Sequence, residues 1–307
     1  MFATDQYQLL DFGAGRKLER FGRYVLDRPA PAAHDAVRRQ VSLWPAADAR
    51  YERGEGEPGR WTFARTIEPS WHLHHGPLAL EVKLTEFGHL GIFPEQAENW
   101  KWIARQVGAA GRPIKVLNLF AYTGASTLAA AAAGALVTHV DAAANVVAWA
   151  KRNARAAALI DAPIRWIAED AIKFARRELK RGHYYEAIIL DPPGYGHGPR
   201  GETWKLEDKL GELLALCVEL TAVNRQFVLL TCHSGAWAFA SELLKDTVSQ
   251  QPVFRVEGTI SGRNMSLVSL AGERLHSGAA VRWSAASPAT HSKSADKRRP
   301  GRATGKP

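Results

Sequence analysis

Val116-Leu-Asn-Leu-Phe-Ala-Tyr-Thr-Gly-Ala-Ser126 is an apolar run that ends in a turn of small residues, and an alanine-rich segment follows it. This order predicts a strand, a tight turn and a helix, with Gly124 letting the backbone approach a ligand closely. A second apolar run, 136–140, is followed directly by Asp141. Because neighbouring strand ends meet at one edge of a doubly wound sheet, this carboxylate could accept both hydroxyls of a bound ribose.

A dinucleotide is the obvious alternative ligand for such an edge. A pyrophosphate site requires the pattern Gly-x-Gly-x-x-Gly, and only Gly124 is present here. Taken alone, the turn would be an ordinary strand-to-helix connection. The motif Asp191-Pro192-Pro193 follows another apolar run and favours a ligand site over an ordinary connection. We therefore interpret the edge as a site for S-adenosylmethionine beside a site for a flat substrate.

The sequence periodicity changes near residue 110. Short β-prone runs broken by Gly and Pro come first, and a helix is expected at 94–106. Strands and helices then alternate, which predicts an α/β domain at 111–283 behind a small β-rich unit at 1–110. An antiparallel end to an otherwise parallel sheet is the arrangement that separates methyltransferases from NAD enzymes. Expected strands of this domain are 115–120, 136–140, 164–167, 187–190, 227–231, 254–260 and 278–283.

Composition limits the size of the domains and the cellular compartment that we expect for this chain. Its 307 residues are 46% hydrophobic, which is enough for one large core and a smaller unit. Two cysteines are too few for a disulfide framework, and the first residues lack the pattern of a signal peptide. We therefore expect a cytoplasmic protein. The longest apolar run, 128–137, is about half of the ~20 residues that a membrane span needs.

The formal charge of +9 is concentrated at the end of the chain. Residues 284–307 contain six Lys or Arg residues against Asp296, which gives this segment a net charge of +5. The segment is rich in Ser, Ala, Pro and Gly and nearly free of apolar residues, so we expect a disordered basic tail. Both contact with phosphates and simple solubilisation remain open for it.

Further candidate residues follow the other strands. Backbone amides of the 121–126 turn could meet the methionine part of the cofactor. Asp170 could accept the adenine amino proton, or it could cap the next helix. Asp191 and the flat, amide-free Pro192 and Pro193 suit a planar base. Tyr195 lies in a glycine-rich stretch, where it could stack on a base or belong to a flexible surface loop.

Cys232 lies at a strand end in Thr231-Cys-His-Ser-Gly235. Carbon 5 of a pyrimidine is a poor nucleophile until a thiolate adds to carbon 6, so methylation there requires a cysteine. His233 or the cationic cofactor could lower the pKa of this thiol. A structural role for Cys232 also remains open, and Cys217, on an apolar helix, is expected in the core.

These motifs, together with Gly91-Ile-Phe-Pro-Glu-Gln96, resemble bacterial class I methyltransferases that modify 23S ribosomal RNA, above all the branch acting on cytosine C5. The resemblance covers roughly 80–283 and implies a Rossmann-like fold, Cys232 as the nucleophile, Asp191 as the residue that orients the base, and the 91–96 segment over the cofactor. Candidate substrate contacts are Pro192, Pro193, Tyr195 and His233. Candidate cofactor contacts are Phe93, Gln96, Asn118, Ala121, Tyr122, Thr123, Gly124, Ser126, Asp141, Asp170 and Asp191.

Several features depart from that family. Residues 1–75 do not resemble its RNA-binding PUA module, Gly194 and Tyr195 replace Lys-Phe or Thr-Phe, and His233 stands where serine is usual. The first hypothesis is therefore methylation of cytosine C5 in RNA. The alternatives are methylation of a ring nitrogen or amine, as in the guanine N7 branch, and an RNA-binding protein without chemistry. We expect ribosomal RNA as the partner and no metal, and the oligomeric state stays open.

Overall fold

The computed structural model describes residues 1–54, 59–197, 203–233, 241–256 and 258–286. A five-stranded sheet of order β1-β2-β3-β4-β5 begins the chain. A hairpin of β6 and β7 follows it. The bounds are β1 (Tyr7–Gly13), β2 (Arg16–Phe21), β3 (Tyr24–Pro29), β4 (Ala49–Glu52), β5 (Arg60–Phe63), β6 (Trp71–His75) and β7 (Leu78–Val82).

The main sheet has seven strands in the order β10-β9-β8-β11-β14-β16-β15. β16 is antiparallel to both of its neighbours, and the remaining pairs are parallel. The expected α/β class, with an antiparallel last strand, is therefore confirmed. The bounds are β8 (Lys115–Leu119), β9 (Leu136–Asp141), β10 (Ile164–Ala168), β11 (Ala187–Leu190), β14 (Phe227–Cys232), β15 (Gly258–Val268) and β16 (Arg274–Ala285).

Helices cover both faces of this sheet. The predicted helix at 94–106 begins three residues late, because Pro94–Gln96 forms a 3-10 turn before α1. In α3, Trp149 and Asn153 are buried against the neighbouring elements, while Arg152 faces outward, as the sequence pattern indicates. The bounds are α1 (Ala97–Ala109), α2 (Ala125–Ala132), α3 (Ala144–Ala156), α4 (Ala171–Lys180), α5 (Leu206–Leu220), α6 (Ser241–Ser249) and α7 (Val253–Val256).

Some expected elements differ from the observed ones. The expected strand at 254–260 is wrong in its first part, because Val253–Val256 is helical and β15 begins at Gly258. The glycine-rich stretch after Asp191 pairs β12 (Tyr195–His197) with β13 (Thr203–Lys205), although 198–202 lie outside the described residues. The expected tail also begins too early, since β16 includes Ala285, and 287–307 lie outside the described residues.

Strands β1 and β2 cannot be recognised from apolar alternation in the sequence, because they bury charged side chains. Asp11 accepts hydrogen bonds from the indole of Trp44 and from two backbone amides. Glu19 is fully buried and pairs with Arg28. Buried carboxylates that are fully paired can occupy a core, yet they break the apolar alternation by which strands are found.

The β-rich unit packs directly on the main domain. Leu73 and Leu80 share one apolar cluster with Leu128 of α2 and Ala154 of α3. Glu81 of β7 extends this contact, because its backbone amide donates to Asn153 Oδ1 at 2.7 Å. Within the described part of the chain, no helix is long and apolar enough to cross a membrane.

Gly91 lies where this unit meets α3, and we expect Gly91→Ala to be strongly destabilising. Its φ is +88°, and an added Cβ would lie 2.2 Å from Cζ2 of Trp149. Backbone strain and overpacking together predict a loss of roughly 2 to 4 kcal/mol in the free energy of unfolding, measured in urea. Gly76 is the matched control, because its φ is +56° and nothing lies within 4 Å of its added Cβ. Equal losses in the two variants would contradict the packing argument.

Candidate functional site

The turn between β8 and α2 has a constrained backbone. Phe120, Tyr122 and Gly124 all have positive φ, at 55°, 50° and 90°. Asp141 holds this turn, since its Oδ2 accepts from the Tyr122 amide at 2.8 Å and its Oδ1 from the Ala143 amide at 3.0 Å. Burial raises the pKa of Asp141, and these two amides oppose the shift. The expected meeting of the two strand ends is observed.

A single cavity unites most of the candidate cofactor contacts, and Gly91, Trp100 and Phe120 also contribute to its lining. Asp141 adjoins this cavity through its bond to Tyr122. The candidates that line the cavity are Phe93, Gln96, Asn118, Ala121, Tyr122, Thr123, Gly124, Ser126 and Asp191.

The 91–96 segment is tied to the turn by hydrogen bonds. Thr123 Oγ1 donates to the Gly91 carbonyl at 2.6 Å, and Asn153 Nδ2 donates to the Thr123 carbonyl at 2.8 Å. Since Asn153 also accepts from the Glu81 amide, one side chain connects β7, α3 and the turn. Asn153 was not identified as a site residue from the sequence. A polar residue at a core-facing helical position is the signal that could have identified it.

A buried polar chain supports the floor of the cavity. Asn118 Nδ2 donates to Thr127 Oγ1 at 2.9 Å, and Thr127 Oγ1 lies 2.9 Å from Nδ1 of His139. Burial lowers the pKa of His139 to about 3, so this imidazole is neutral at physiological pH. Burial also raises the pKa of Tyr122 to about 12, which keeps its phenol protonated.

Asp170 serves as a helix cap. Its carboxylate accepts from the Lys173 amide at 2.9 Å, and it occupies the N-cap position of α4. This is the second of the two roles considered for it, and it satisfies one of the unpaired amides of a helix start. Asp170 is not among the residues that line the cavity. Its contact with adenine therefore stays a prediction.

Asp191 is the centre of a second hydrogen-bonded group. Thr231 Oγ1 donates to its Oδ1 at 2.5 Å, Gln96 Nε2 donates to its Oδ2 at 3.2 Å, and His233 Nε2 lies 3.3 Å from Oδ1. The ring of Phe93 stacks at 5.9 Å from that of His233. This group joins β11, β14 and the 91–96 segment at the edge of the cofactor cavity.

The His233 side chain is 30% exposed and lies between two carboxylates, Asp191 and Glu95. Burial disfavours its charged form, but the two carboxylates and the Ser277 carbonyl outweigh that effect and raise the pKa of His233 to about 9. His233 therefore carries a proton at physiological pH. Neither Glu95 nor Thr231 was identified as a site residue from the sequence.

The two prolines after Asp191 differ in their surroundings. Pro192 is buried and Pro193 is exposed. The Pro193 carbonyl accepts a hydrogen bond from the indole of Trp204 at 2.5 Å. Trp204 packs in turn on Phe120 with ring centroids 4.8 Å apart. Tyr195, 57% exposed, remains accessible on β12.

Cys232 lies on the other side of β14 from the Asp191 group. Side chains alternate along a strand, so Thr231 faces Asp191 while Cys232 faces the opposite way. Cys232 has no exposed surface and belongs to an apolar cluster with Leu190 and Leu230. Cys217 is buried in the same cluster, as expected, and burial raises the pKa of its thiol to about 12.

The donor set fits S-adenosylmethionine better than it fits a dinucleotide. Gly124 is the one glycine of the turn, an added Cβ there would lie 3.0 Å from Cβ of Ala150, and the Asp141 carboxylate lies at the next strand end. The amides of Ala121, Tyr122 and Gly124 already donate within the protein. The fold and this cavity thus define a class I methyltransferase. The chain belongs to the S-adenosylmethionine-dependent methyltransferase family, whose pattern matches residues 29–257. It is an enzyme that uses S-adenosylmethionine.

Individual relatives agree with this family. A solved structure of an S-adenosylmethionine-dependent methyltransferase from Agrobacterium tumefaciens is 37% identical, with a TM-score of 0.84 over 91% of this chain and 90% of that one. SMU.776, solved in complex with SAH, is 17% identical with a TM-score of 0.70 over 92% of this chain and 75% of that one, so it supports the fold alone.

A curated relative matches a smaller part of the chain. The ribosomal RNA large subunit methyltransferase K/L of Shewanella sp. (strain MR-4) is 29% identical over 151 residues. This match covers 48% of our chain and 21% of the relative. The chain therefore spans about a fifth of the length of the curated relative it matches.

We expect Asp141→Ala to weaken binding of S-adenosylhomocysteine. The variant removes the acceptor at the end of β9 and leaves the Tyr122 amide without its partner. Loss of hydrogen bonds to a charged group predicts roughly 1.5 to 3 kcal/mol, measured by titration calorimetry. Asp141→Asn keeps one acceptor oxygen and should lose less binding affinity for S-adenosylhomocysteine. An unchanged affinity in both variants would place the ribose contact elsewhere.

A second prediction concerns the pH dependence of stability. Because the pKa of His233 is raised to about 9, its stabilising contribution is present below about pH 6.5 and is lost as pH rises through 9. We expect His233→Gln to be less stable than the natural chain by roughly 1 to 2 kcal/mol at pH 6, after allowance for solvent screening. The difference should nearly vanish at pH 10. Urea unfolding at both pH values measures it, and a pH-independent difference would contradict the charged pair.

Proposed function

We propose that this chain methylates a nucleobase in RNA, with Asp191 orienting the base. One observation carries the proposal: the Asp191 carboxylate lines the cofactor cavity while Thr231, Gln96 and His233 hold it in place. A carboxylate fixed beside a methyl donor suits a substrate that presents an N–H group. The neighbouring, exposed Pro193 supplies an apolar surface for a flat ring.

The remaining cofactor contacts are proposed on the same basis. The 121–126 turn would bind the methionine moiety through amides other than those of Ala121, Tyr122 and Gly124, which donate within the protein. Asp141 would accept from the ribose hydroxyls. Phe93 and Gln96 would cover the reacting end, and Asp170 would meet the adenine. When bound, S-adenosylmethionine supplies an electrophilic methyl group on a sulfonium. The protein residues hold the target atom in line with that group and keep water away from it.

An RNA partner is supported by the loop that precedes Gly91. Three side chains of the β-rich unit donate to its carbonyls: Trp61 to Thr85, Tyr51 to Glu86 and Arg28 to Gly88, at 2.8, 2.7 and 3.0 Å. No local sequence pattern indicates this arrangement, because the donors come from three separate strands.

The loop presents Phe87, which is 66% exposed, to solvent. Burial lowers the pKa of the adjacent His89, and the positive charges of Arg28 and Arg53 lower it further. Exposed aromatic rings and cations together bind single-stranded nucleic acid, because bases stack on the rings and phosphates pair with the cations. The exposed Phe87 and the similarity to a ribosomal RNA large subunit methyltransferase of Shewanella together support ribosomal RNA as the substrate and the cytoplasm as the location.

A nitrogen atom is the target that the geometry favours. The groups that face the cavity edge are the carboxylate of Asp191, the amide of Gln96 and the imidazole of His233. Asp191 would accept a hydrogen bond from the N–H of the base, so that the nitrogen lone pair points to the methyl group. As the nitrogen–carbon bond forms and the carbon–sulfur bond breaks, the proton leaves the nitrogen for Asp191 or water.

Methylation of cytosine C5 is the second candidate. It is favoured by the place of Cys232 between Thr231 and His233, both of which contact Asp191. Its thiol would first have to leave the apolar cluster and lose its proton. It would then add to carbon 6, carbon 5 would take the methyl, and loss of the carbon 5 proton would release the thiol.

The two candidates predict opposite results for Cys232→Ala. Nitrogen methylation should continue at a rate within about threefold of the natural chain, because no thiol takes part, whereas Asp191→Asn should slow it by roughly 10²-fold or more. C5 methylation should stop in Cys232→Ala, and RNA containing 5-fluorocytosine should form a stable adduct with the natural chain. Cys217→Ala is the matched control, since it removes an equally buried thiol from the same cluster.

Nucleoside mass spectrometry of RNA, from cells with and without the chain, identifies the substrate and the methylated base. RNA methylation that requires Asp191 and persists in Cys232→Ala would support nitrogen methylation. Absence of any RNA methyl group that depends on the chain would overturn the proposed function.

A further inference from the structure

Gln96 has a side-chain orientation that the sequence could not reveal. Its Nε2 lies 3.2 Å from Asp191 Oδ2, 3.3 Å from Thr231 Oγ1 and 3.2 Å from His233 Nε2. An amide can present either its oxygen or its nitrogen in a given direction, because the two ends have nearly the same shape. Only the NH₂ end can donate to the Asp191 carboxylate. The orientation of this amide therefore decides whether it attracts or repels that carboxylate.

Gln96 is oriented by its neighbour Asn99. Asn99 Nδ2 donates to Gln96 Oε1 at 2.6 Å, which turns the Gln96 nitrogen toward Asp191. Asn99 is 1% exposed, and its Nδ2 also lies 3.3 Å from the sulfur of Met265. Asn99 is itself an amide, however, so its own orientation requires a cause.

Arg282 of β16 supplies that cause. Its Nε and Nη2 donate to Asn99 Oδ1 at 3.1 and 2.5 Å, and Nη2 also donates to the Glu98 carbonyl at 3.0 Å. The guanidinium lies over the ring of Trp102 at 5.3 Å. Burial lowers the pKa of Arg282 to about 10, which still leaves it charged at physiological pH. A guanidinium can only donate hydrogen bonds, so Asn99 must turn its oxygen toward it.

We infer that Arg282 and Asn99 are positioning residues that fix the Gln96 amide with its NH₂ end toward Asp191. Arg282 fixes the oxygen of Asn99, the nitrogen of Asn99 then fixes the oxygen of Gln96, and the nitrogen of Gln96 is left for the Asp191 carboxylate. Neither residue contacts the substrate. The inference rests on the proposed role of Asp191 in orienting the base, and it extends that site to Arg282 of β16.

The variant Asn99→Asp tests this relay. Aspartate has almost the same shape and still accepts from Arg282, but it cannot donate to Gln96 Oε1. Gln96 should then turn over, donate to the new carboxylate, and place its oxygen beside Nε2 of His233. That oxygen favours the protonated imidazole, so the pKa of His233 should rise by about one unit. NMR titration of the full chain with labelled histidine measures this pKa, and the signal is assigned from its loss in His233→Gln.

A double-mutant cycle separates the relay from the mere addition of a buried charge. In Gln96→Met no amide can turn over, so adding Asn99→Asp should change the pKa of His233 little further. The same upward shift in the Gln96→Met background would overturn the inference. An unchanged pKa in Asn99→Asp alone would also overturn it.

Two substitutions at Arg282 provide a second test should Asn99→Asp fail to fold. Arg282→Lys keeps a group that only donates and should leave the pKa of His233 within about 0.3 units of the natural value. Arg282→Met frees Asn99 to turn over and should reproduce the upward shift. Equal pKa values in the two variants would overturn the inference.

Kinetics provide the last readout. If RNA methylation is established, Asn99→Asp should lower kcat about tenfold or more while the KM for S-adenosylmethionine changes less than about threefold. The NMR titration requires no RNA. A shifted His233 pKa without RNA methylation would therefore uphold the relay and reject the proposed function, whereas methylation with an unshifted pKa would do the reverse.

Discussion

The carboxylate of Asp141 holds the backbone on which the cofactor cavity depends. By accepting from the Tyr122 and Ala143 amides, it fixes the turn after β8 to the end of β9. Phe120 and Tyr122 have positive φ, a conformation that costs energy for residues with side chains and persists only where the surroundings enforce it. The same turn binds the 91–96 segment through Thr123, so the position of that segment at the cavity depends on the bonds that Asp141 makes.

Two edges of the cavity are supported by different parts of the chain. Asn153 connects the cofactor turn to β7, so the strands of the β-rich unit contribute to the site through this side chain. At the other edge, Asn99 and Arg282 connect Gln96 to the antiparallel strand β16. Both connections are made by buried polar side chains, and a buried polar group must find its partners within the protein. Such networks specify one geometry more strictly than apolar packing alone.

The alternation of side chains along β14 determines which groups face the proposed substrate site. Thr231 and Cys232 are neighbours in sequence, but their side chains face opposite sides of β14. The Thr231 hydroxyl joins the Asp191 group, whereas the Cys232 thiol is fully buried among apolar residues. This arrangement supports the nitrogen target proposed above over carbon 5 of a pyrimidine.

The sequence alone determined the α/β class, most strands of the main sheet and the convergence of candidate residues on one cavity. It could do so because apolar periodicity and strand-end motifs are local signals. It missed β1 and β2, whose buried Asp11 and Glu19 interrupt that periodicity. Only the tertiary structure decided which way Cys232 faces and that Arg282 orients Gln96. Those facts depend on which side chains meet across distant strands, and sequence spacing does not encode such contacts.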